Sequence, residues 1–237
     1  MRLSVIIPTL NEESSIGGLI GALQAQDPGC EIIVSDGGST DRTREVSEAN
    51  GARVLQCAPG RGQQAAAGAD TATGDILFFC HADTALPDGA LDAVCVALEE
   101  KPEAPGGNFR LLFDGGTGFD DWLNGFYAWI RSHGVYYGDS GIFVRREAYI
   151  STGGIRPIAL MEDYDFVRRL ERTGPTVCIG EPPLITSSRK FHGRHPVGIV
   201  CGWLWIHALW HLGVSPDRLA RIYYGRKFRK PVSSPES

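Results

Sequence analysis

Four short runs of the chain carry apolar residues almost without interruption: LSVIIP at 3–8, EIIVSD at 31–36, ARVLQC at 52–57 and DILFFC at 75–80. Each is of strand length, and none alternates apolar with polar positions. Strands of that kind are covered on both faces, as in a parallel sheet. Helical stretches lie between them. One is expected to begin near Glu12 behind an Asn11 N-cap. A second should run from Asp41 to Asn50 behind Ser39 or Thr40, and a third should occupy the alanine-rich GQQAAAGADTA at 62–72. The alternation predicts right-handed crossovers and an α/β fold whose half over 1–101 is open and doubly wound, with helices flanking a mainly parallel sheet.

After Pro102 the rhythm changes. GGNFRLLF at 106–113 and SGIFVRR at 140–146 read as strands. FDDWLNGFYAWIR at 119–131 reads as an amphipathic helix, and MEDYDFVRRLER at 161–172 as a helix opened by acids and closed by bases. The expected organisation is therefore one domain over 1–195, divided into halves 1–101 and 102–195. A helical extension over 196–230 and a disordered tail, PVSSPES at 231–237, would follow.

A length of 237 residues with 43% hydrophobic and 22% charged content suits one globular unit. The formal net charge of −5 argues against nucleic acid as a partner. The charge is uneven, because RLARIYYGRKFRK at 218–230 holds six cations and no acid. The six cysteines form no CxxC pair and lie mostly in apolar contexts, which reads as buried reduced thiols in a cytoplasmic chain. Residues 1–10 do not read as a secretory leader, since Pro8 arrives too soon. The stretch VGIVCGWLWIHALWHLGV at 197–214 approaches bilayer length but carries two histidines and three tryptophans. Three readings stay open for it: packing on the core or on a second subunit as a homodimer, peripheral contact with the inner face of the cell membrane, or a true span.

In an open parallel sheet, ligands bind beyond the carboxyl ends of the strands. The first strand ends in Pro8, Thr9, Asn11 and Glu12, the second in Asp36 within SDGGSTDRT, and the fourth in His81 and Asp83 within FFCHADTALP. Asp36 and Asp83 each suit a turn as well as a ligand, so it is their convergence on one edge that favours a site. A dinucleotide-binding turn needs GxGxxG after the first strand. This chain has PTLNEE there, acidic and without glycine. Those acids repel a bare pyrophosphate. A divalent metal held by Asp83 would neutralise one, because hard cations take oxygen ligands and bridge phosphates.

The segments SVIIPTLNEE, VSDGGSTDRT, GRGQQAAAGADTATGDILFFCHADT, GDSGIFVRR and MEDYDF resemble, in order, the motifs of family 2 glycosyltransferases of the GT-A fold. The resemblance covers about residues 3 to 190. HADT and the short length are most similar to a bacterial subgroup associated with arsenosugar or radical-SAM clusters. By the resemblance, Pro8, Thr9 and Glu12 line a nucleotide pocket, Asp36 accepts a hydrogen bond from the base, and Arg61 sits near the phosphates. Asp83 matches the last carboxylate of the DxD metal motif, for manganese or magnesium. His81 stands where the motif has its first carboxylate; a capping histidine is the competing reading. MEDYDF matches the segment that supplies the catalytic base, which points to Asp163 with Glu162 adjacent.

The implied activity is inverting transfer of a sugar from a nucleotide-diphosphate donor, UDP-linked by the family's habit, to an acceptor hydroxyl the sequence does not name. The absence of QxxRW near Arg189, Lys190 and His192 points to one transfer per encounter. Asp139 in YGDSG suits an acceptor site or a turn. His207 and His211 stand at i and i+4 with no third metal ligand beside them in the sequence. Two other classes compete: an inactive relative that binds nucleotide sugar, and a sugar-1-phosphate nucleotidyltransferase, which would need a glycine-rich basic loop after the first strand.

Overall fold

The computed structural model describes residues 1–186 and 195–225. The first apolar run forms β1 (Leu3–Thr9), in which Val5, Ile6 and Ile7 are fully buried. It is followed by α1 (Ile16–Gln26), β2 (Glu31–Asp36), α2 (Thr43–Ala49), β3 (Arg53–Gln56), α3 (Arg61–Thr71), β4 (Ile76–Phe79) and α4 (Ala90–Glu100). The second half contributes β5 (Gly106–Phe113), α5 (Gly118–Ser132), a 3-10 turn at Gly138–Ser140, β6 (Phe143–Arg145), α6 (Arg146–Ser151), α7 (Glu162–Leu170) and β7 (Val177–Thr186). Two helices close the described chain, α8 (Pro196–His211) and α9 (Pro216–Tyr224).

One seven-stranded sheet runs in the order β3-β2-β1-β4-β6-β5-β7. β1 pairs in parallel with β2 and β4, and β2 with β3, whereas β6 is antiparallel to both of its neighbours. Both faces are covered. Val5, Ile7 and Phe78 pack with α1 and α4 residues such as Leu23 and Val94; Ile6, Leu77 and Phe79 pack with Ala65 and Ala69 of α3 and Phe166 of α7. Each fully buried side chain of this size contributes about 1.5–3 kcal/mol. The small residues of α3 have a steric cause. A Cβ on Gly68 would stand 2.5 Å from Ile6 Cγ2 and 2.6 Å from Ser35 Oγ, so the helix lies directly on the sheet.

Several expectations change. α1 starts at Ile16, not Glu12, because Asn11 takes a left-handed conformation (φ 58°) and does not cap. Its carboxamide accepts from Thr40 N–H at 2.9 Å, and its own N–H donates to Ser39 Oγ at 2.9 Å. Polar residues that read as helix caps instead tie the β1–α1 loop to the β2–α2 loop, and α2 begins only at Thr43. β3 is a partly exposed edge strand. SGIFVRR is divided among the 3-10 turn, the short β6 and the start of α6. Of the cysteines, all free, Cys80 is buried while Cys178 and Cys201 are exposed. Among the described residues no helix is long and apolar enough to cross a membrane. α8 buries Ile199 and Ile206 against the domain, as the packed-helix reading expects. The tail at 231–237 and residues 226–230 of the extension lie outside the described residues.

Candidate active site

The sheet topology gathers the site. β1, β2 and β4 present their carboxyl ends on one edge, and β6, running the other way, delivers its preceding turn to that same edge. Phe79 N–H of β4 donates to the Ile142 carbonyl at 2.8 Å, which sets Gly138–Ser140 beside the β4 tip. A Cβ placed on Gly138 would stand 3.4 Å from both His81 Nε2 and Asp163 Oδ2. Three chain segments remote in sequence thus meet within one side chain's reach.

Asp163 is held by the backbone. Its Oδ2 accepts from Gly138 N–H at 2.9 Å and its Oδ1 from Tyr164 N–H at 2.7 Å. Met161, immediately before α7, has φ 67°, a left-handed conformation costly for a side chain of this kind and found where surrounding structure enforces it. The first turn of α7 carries Glu162, Asp163 and Asp165. Asp165 is tied to Arg169 at 2.8 Å and Arg156 at 3.3 Å, so of these acids Glu162 and Asp163 are the pair that faces the crest.

Arg61, the first residue of α3, lies 3.8 Å from Glu162 Oε1 and 3.4 Å from the Tyr224 hydroxyl. Gly62 makes this approach feasible. A Cβ there would stand 2.7 Å from the Arg156 carbonyl and 3.1 Å from Glu162 Cβ. Burial first, then the charge of Asp163, push the Glu162 carboxyl up to about 7, against the pull of Arg61. Burial and then Arg61 push the His81 imidazole below its ordinary value, opposed by Asp139, Asp83 and Asp163. His81 therefore stands with the carboxylate cluster, and among the described residues its ring makes no capping hydrogen bond.

Asp83 is exposed, and among the described residues no hydrogen bond or ion pair engages its carboxylate. A lone, free carboxylate at a strand tip fits a divalent cation shared with a diphosphate, since magnesium-type ions take one or two carboxylates and complete their shell with phosphate and water. Among the described residues no group of three or more side chains could hold a metal without such a ligand.

The β1 and β2 tips form a separate, rigid corner. Asp36 is fully buried; its Oδ1 accepts from Gly38 and Ser39 N–H at 3.1 and 3.0 Å, and its Oδ2 from the Ser39 hydroxyl and, at 3.5 Å, from Thr9 Oγ1. The turn-forming reading therefore holds for Asp36. Gln64 of α3 fastens the same corner, donating to the Thr9 carbonyl at 2.6 Å and the Ser35 carbonyl at 2.9 Å. Glu12 accepts from the Ser15 hydroxyl at 2.8 Å, and Pro8 is half-buried beside Thr9. Arg189, Lys190 and His192 lie outside the described residues.

Sequence reasoning missed the residues that back the cluster. Tyr137 O–H meets His207 Nε2 at 2.8 Å, and Tyr164 O–H meets His211 Nε2 at 3.1 Å. Burial, then His211, push His207 down, while burial, then Asp163, raise Tyr137; a tyrosine hydroxyl donating to a neutral imidazole satisfies both. The i, i+4 spacing of the histidines was visible, but not the tyrosines that each of them meets.

Curated relatives match over limited stretches. Glucosyl-3-phosphoglycerate synthase of Mycolicibacterium smegmatis is 34% identical over 97 residues, 36% of this chain and 32% of that protein. The 4,4'-diaponeurosporenoate glycosyltransferase of Staphylococcus haemolyticus is 36% identical over 101 residues, 39% of this chain and 27% of that protein. This chain thus spans about a third of the length of these relatives. Solved structures align more fully. S. aureus TarS (residues 1–349) superposes with a TM-score of 0.65 at 19% identity, covering 96% of this chain and 72% of that one. Glucosyl-3-phosphoglycerate synthase from Mycobacterium tuberculosis, in complex with Mn2+, UDP and glucosyl-3-phosphoglycerate, gives 0.64 at 20% identity, covering 90% and 80%. The fold is accordingly the GT-A fold of these glycosyltransferases. Residues 4–137, more than half of the chain, match the profile of glycosyl transferase family 2, and the protein belongs to that family.

Proposed function

We propose that the protein is an inverting, metal-dependent, non-processive glycosyltransferase that moves a sugar from a UDP-linked donor to an acceptor hydroxyl in the cytoplasm. The observation that carries this reading is the seat of Asp163. Its carboxylate is fixed by two backbone N–H groups at the start of α7, beside His81 of the β4 tip and the Gly138 turn. A base so held has one task in a single displacement. Asp163 takes the acceptor hydroxyl proton; the acceptor oxygen bonds to the anomeric carbon as that carbon's bond to the diphosphate breaks, and the diphosphate leaves with the electron pair. One carboxylate acting once inverts the anomeric centre.

Arg61 supports the reading from the other side, as a guanidinium available to the diphosphate and paired with Glu162 until one binds. Asp83, with His81 behind it, would hold manganese or magnesium, which supplies charge neutralisation to the departing diphosphate. Pro8, Thr9 and Glu12 would line the nucleotide pocket. Asp36, with its lone pairs occupied, would shape the base pocket by fixing the β2 turn. Related structures with UDP-GlcNAc on TarS, and with Mn2+, UDP-glucose and phosphoglyceric acid on the mycobacterial synthase, support a nucleotide-sugar partner. The subgroup assignment rests on HADT and the short length. Residues 1–101 would serve the donor and 102–195 the acceptor.

Thermal-shift titration with nucleoside diphosphates, with and without manganese, tests the reading, because a ligand bound only by the folded state raises apparent stability. A shift with UDP that requires manganese is expected. No metal-dependent shift with any nucleoside diphosphate refutes it. Sugar transfer from the donor so identified separates an enzyme from an inactive binder, and inversion at the anomeric carbon checks the mechanism.

A further inference from the structure

α8 and α9 are joined by a short turn and diverge around an open groove of about 480 Å³, within the range of about 300–1,000 Å³ that small-molecule sites occupy. Trp203, Trp205 and Ile206 of α8 face Ile222, Tyr223 and Tyr224 of α9 across it, and among the described residues its lining carries no charged side chain. Trp205 is 59% exposed and Ile222 51%, so apolar surface is left open to solvent on both walls.

Two connections join this groove to the catalytic carboxylates. Tyr224, on one wall, places its hydroxyl 3.4 Å from Arg61, which pairs with Glu162. Ile206, on the other wall, packs in one cluster with Met161 and Tyr164, the residues on either side of Glu162 and Asp163. The neighbouring His207 continues to Tyr137, next to the Gly138 N–H that holds Asp163. The walls of the groove are thus built on the same side chains that pack around Glu162 and Asp163.

We propose that the groove between α8 and α9 binds the hydrocarbon portion of the acceptor, so that the substrate is an amphipathic molecule whose hydroxyl reaches Asp163 while its chain lies between Trp205 and Ile222. The proposal rests on the glycosyltransferase reading above. It favours an apolar-tailed acceptor over a small charged one, because the lining described is aromatic and aliphatic and solvates a charge poorly. It also gives the extension at 196–225 a task, that of one wall of the acceptor site.

Calorimetric titration with n-alkyl β-D-glucosides of increasing chain length, kept below their micelle concentrations, tests it. Affinity is expected to rise about fourfold per added methylene until the groove is filled, with a negative heat-capacity change. Trp205→Ala and Ile222→Ser, each checked for a cooperative thermal transition, are expected to flatten that dependence. Affinity independent of chain length overturns the proposal, as does an unchanged dependence in both variants. So does loss of binding to anionic vesicles in the variants with alkyl glucoside affinity intact, which would make the face a membrane contact. Manganese-dependent UDP binding, measured on the unmodified protein, tests the underlying reading separately: its failure removes the enzyme, and the chain-length series alone decides the groove.

Discussion

Replacing Glu162 by Gln should reverse part of the protein's pH dependence. The Glu162 side chain is 12% exposed and 3.8 Å from Arg61. Burial and the adjacent Asp163 push its carboxyl from 4.5 up to about 7, so these two outweigh the ion pair. An acid whose pKa rises on folding binds its proton more tightly in the native state. Its contribution to stability is then full below about 4.5 and is lost as pH rises through about 7. Between pH 5 and pH 8 the loss amounts to about 2–3 kcal/mol, at about 1.36 kcal/mol per unit. Gln has nearly the same shape and does not titrate. Measured by urea or thermal unfolding, the variant should therefore gain about 2–3 kcal/mol on the wild type from pH 5 to pH 8, or about 4–12 °C in relative Tm for a chain of this size. Titrating groups that do not interact with Glu162 are common to both proteins and cancel in the difference. A gap that stays flat, or opens in the opposite direction, refutes the reasoning and makes the Arg61 pair the stronger effect.

Asp163→Asn should leave manganese-dependent UDP binding intact and lower turnover by about 10²–10⁴-fold, the usual share of a general base; a much larger loss in Glu162→Gln would transfer the role to Glu162. Asp83→Ala should abolish the metal dependence of UDP binding without unfolding the protein, since the residue is exposed at a strand tip; calorimetry with equal metal-dependent affinity in the variant contradicts the assignment. Gly62→Ala forces a methyl to within 2.7 Å of the Arg156 carbonyl and should cost about 1–3 kcal/mol on denaturation. A neutral result there would mean that the loop before α7 gives way freely.

What was legible follows from how locally each feature is encoded. β1, β2 and β4 could be read because a central strand buried on both faces has no polar alternation to confuse it, whereas β3 reads as one of them and is a partly exposed edge strand. β7 was not legible, since CIGEPP presents Gly and two prolines in a strand whose side chains are partly exposed. Helix starts were misplaced for a different reason: Asn11, Ser39 and Asp41 have the side chains of N-caps, and only the facing loop decides that they bond across the crest.

The same distinction runs through the site. Asp83, Asp163 and Arg61 sit in short motifs at element ends, where sequence order and chemistry point the same way. The residues that back them do not. Tyr137 meets His207 across 70 positions and Arg61 meets Tyr224 across 163, and no local pattern marks either pair. A donor site built from strand tips of one sheet can be read from its motifs, because the sheet brings successive tips to one edge. The acceptor site as proposed would take its walls from what packs over that edge, α8 and α9, whose tryptophans and histidines read equally well as membrane, metal or core until their neighbours are known. Specificity for the acceptor should accordingly vary with the C-terminal helices while the donor chemistry stays with the sheet.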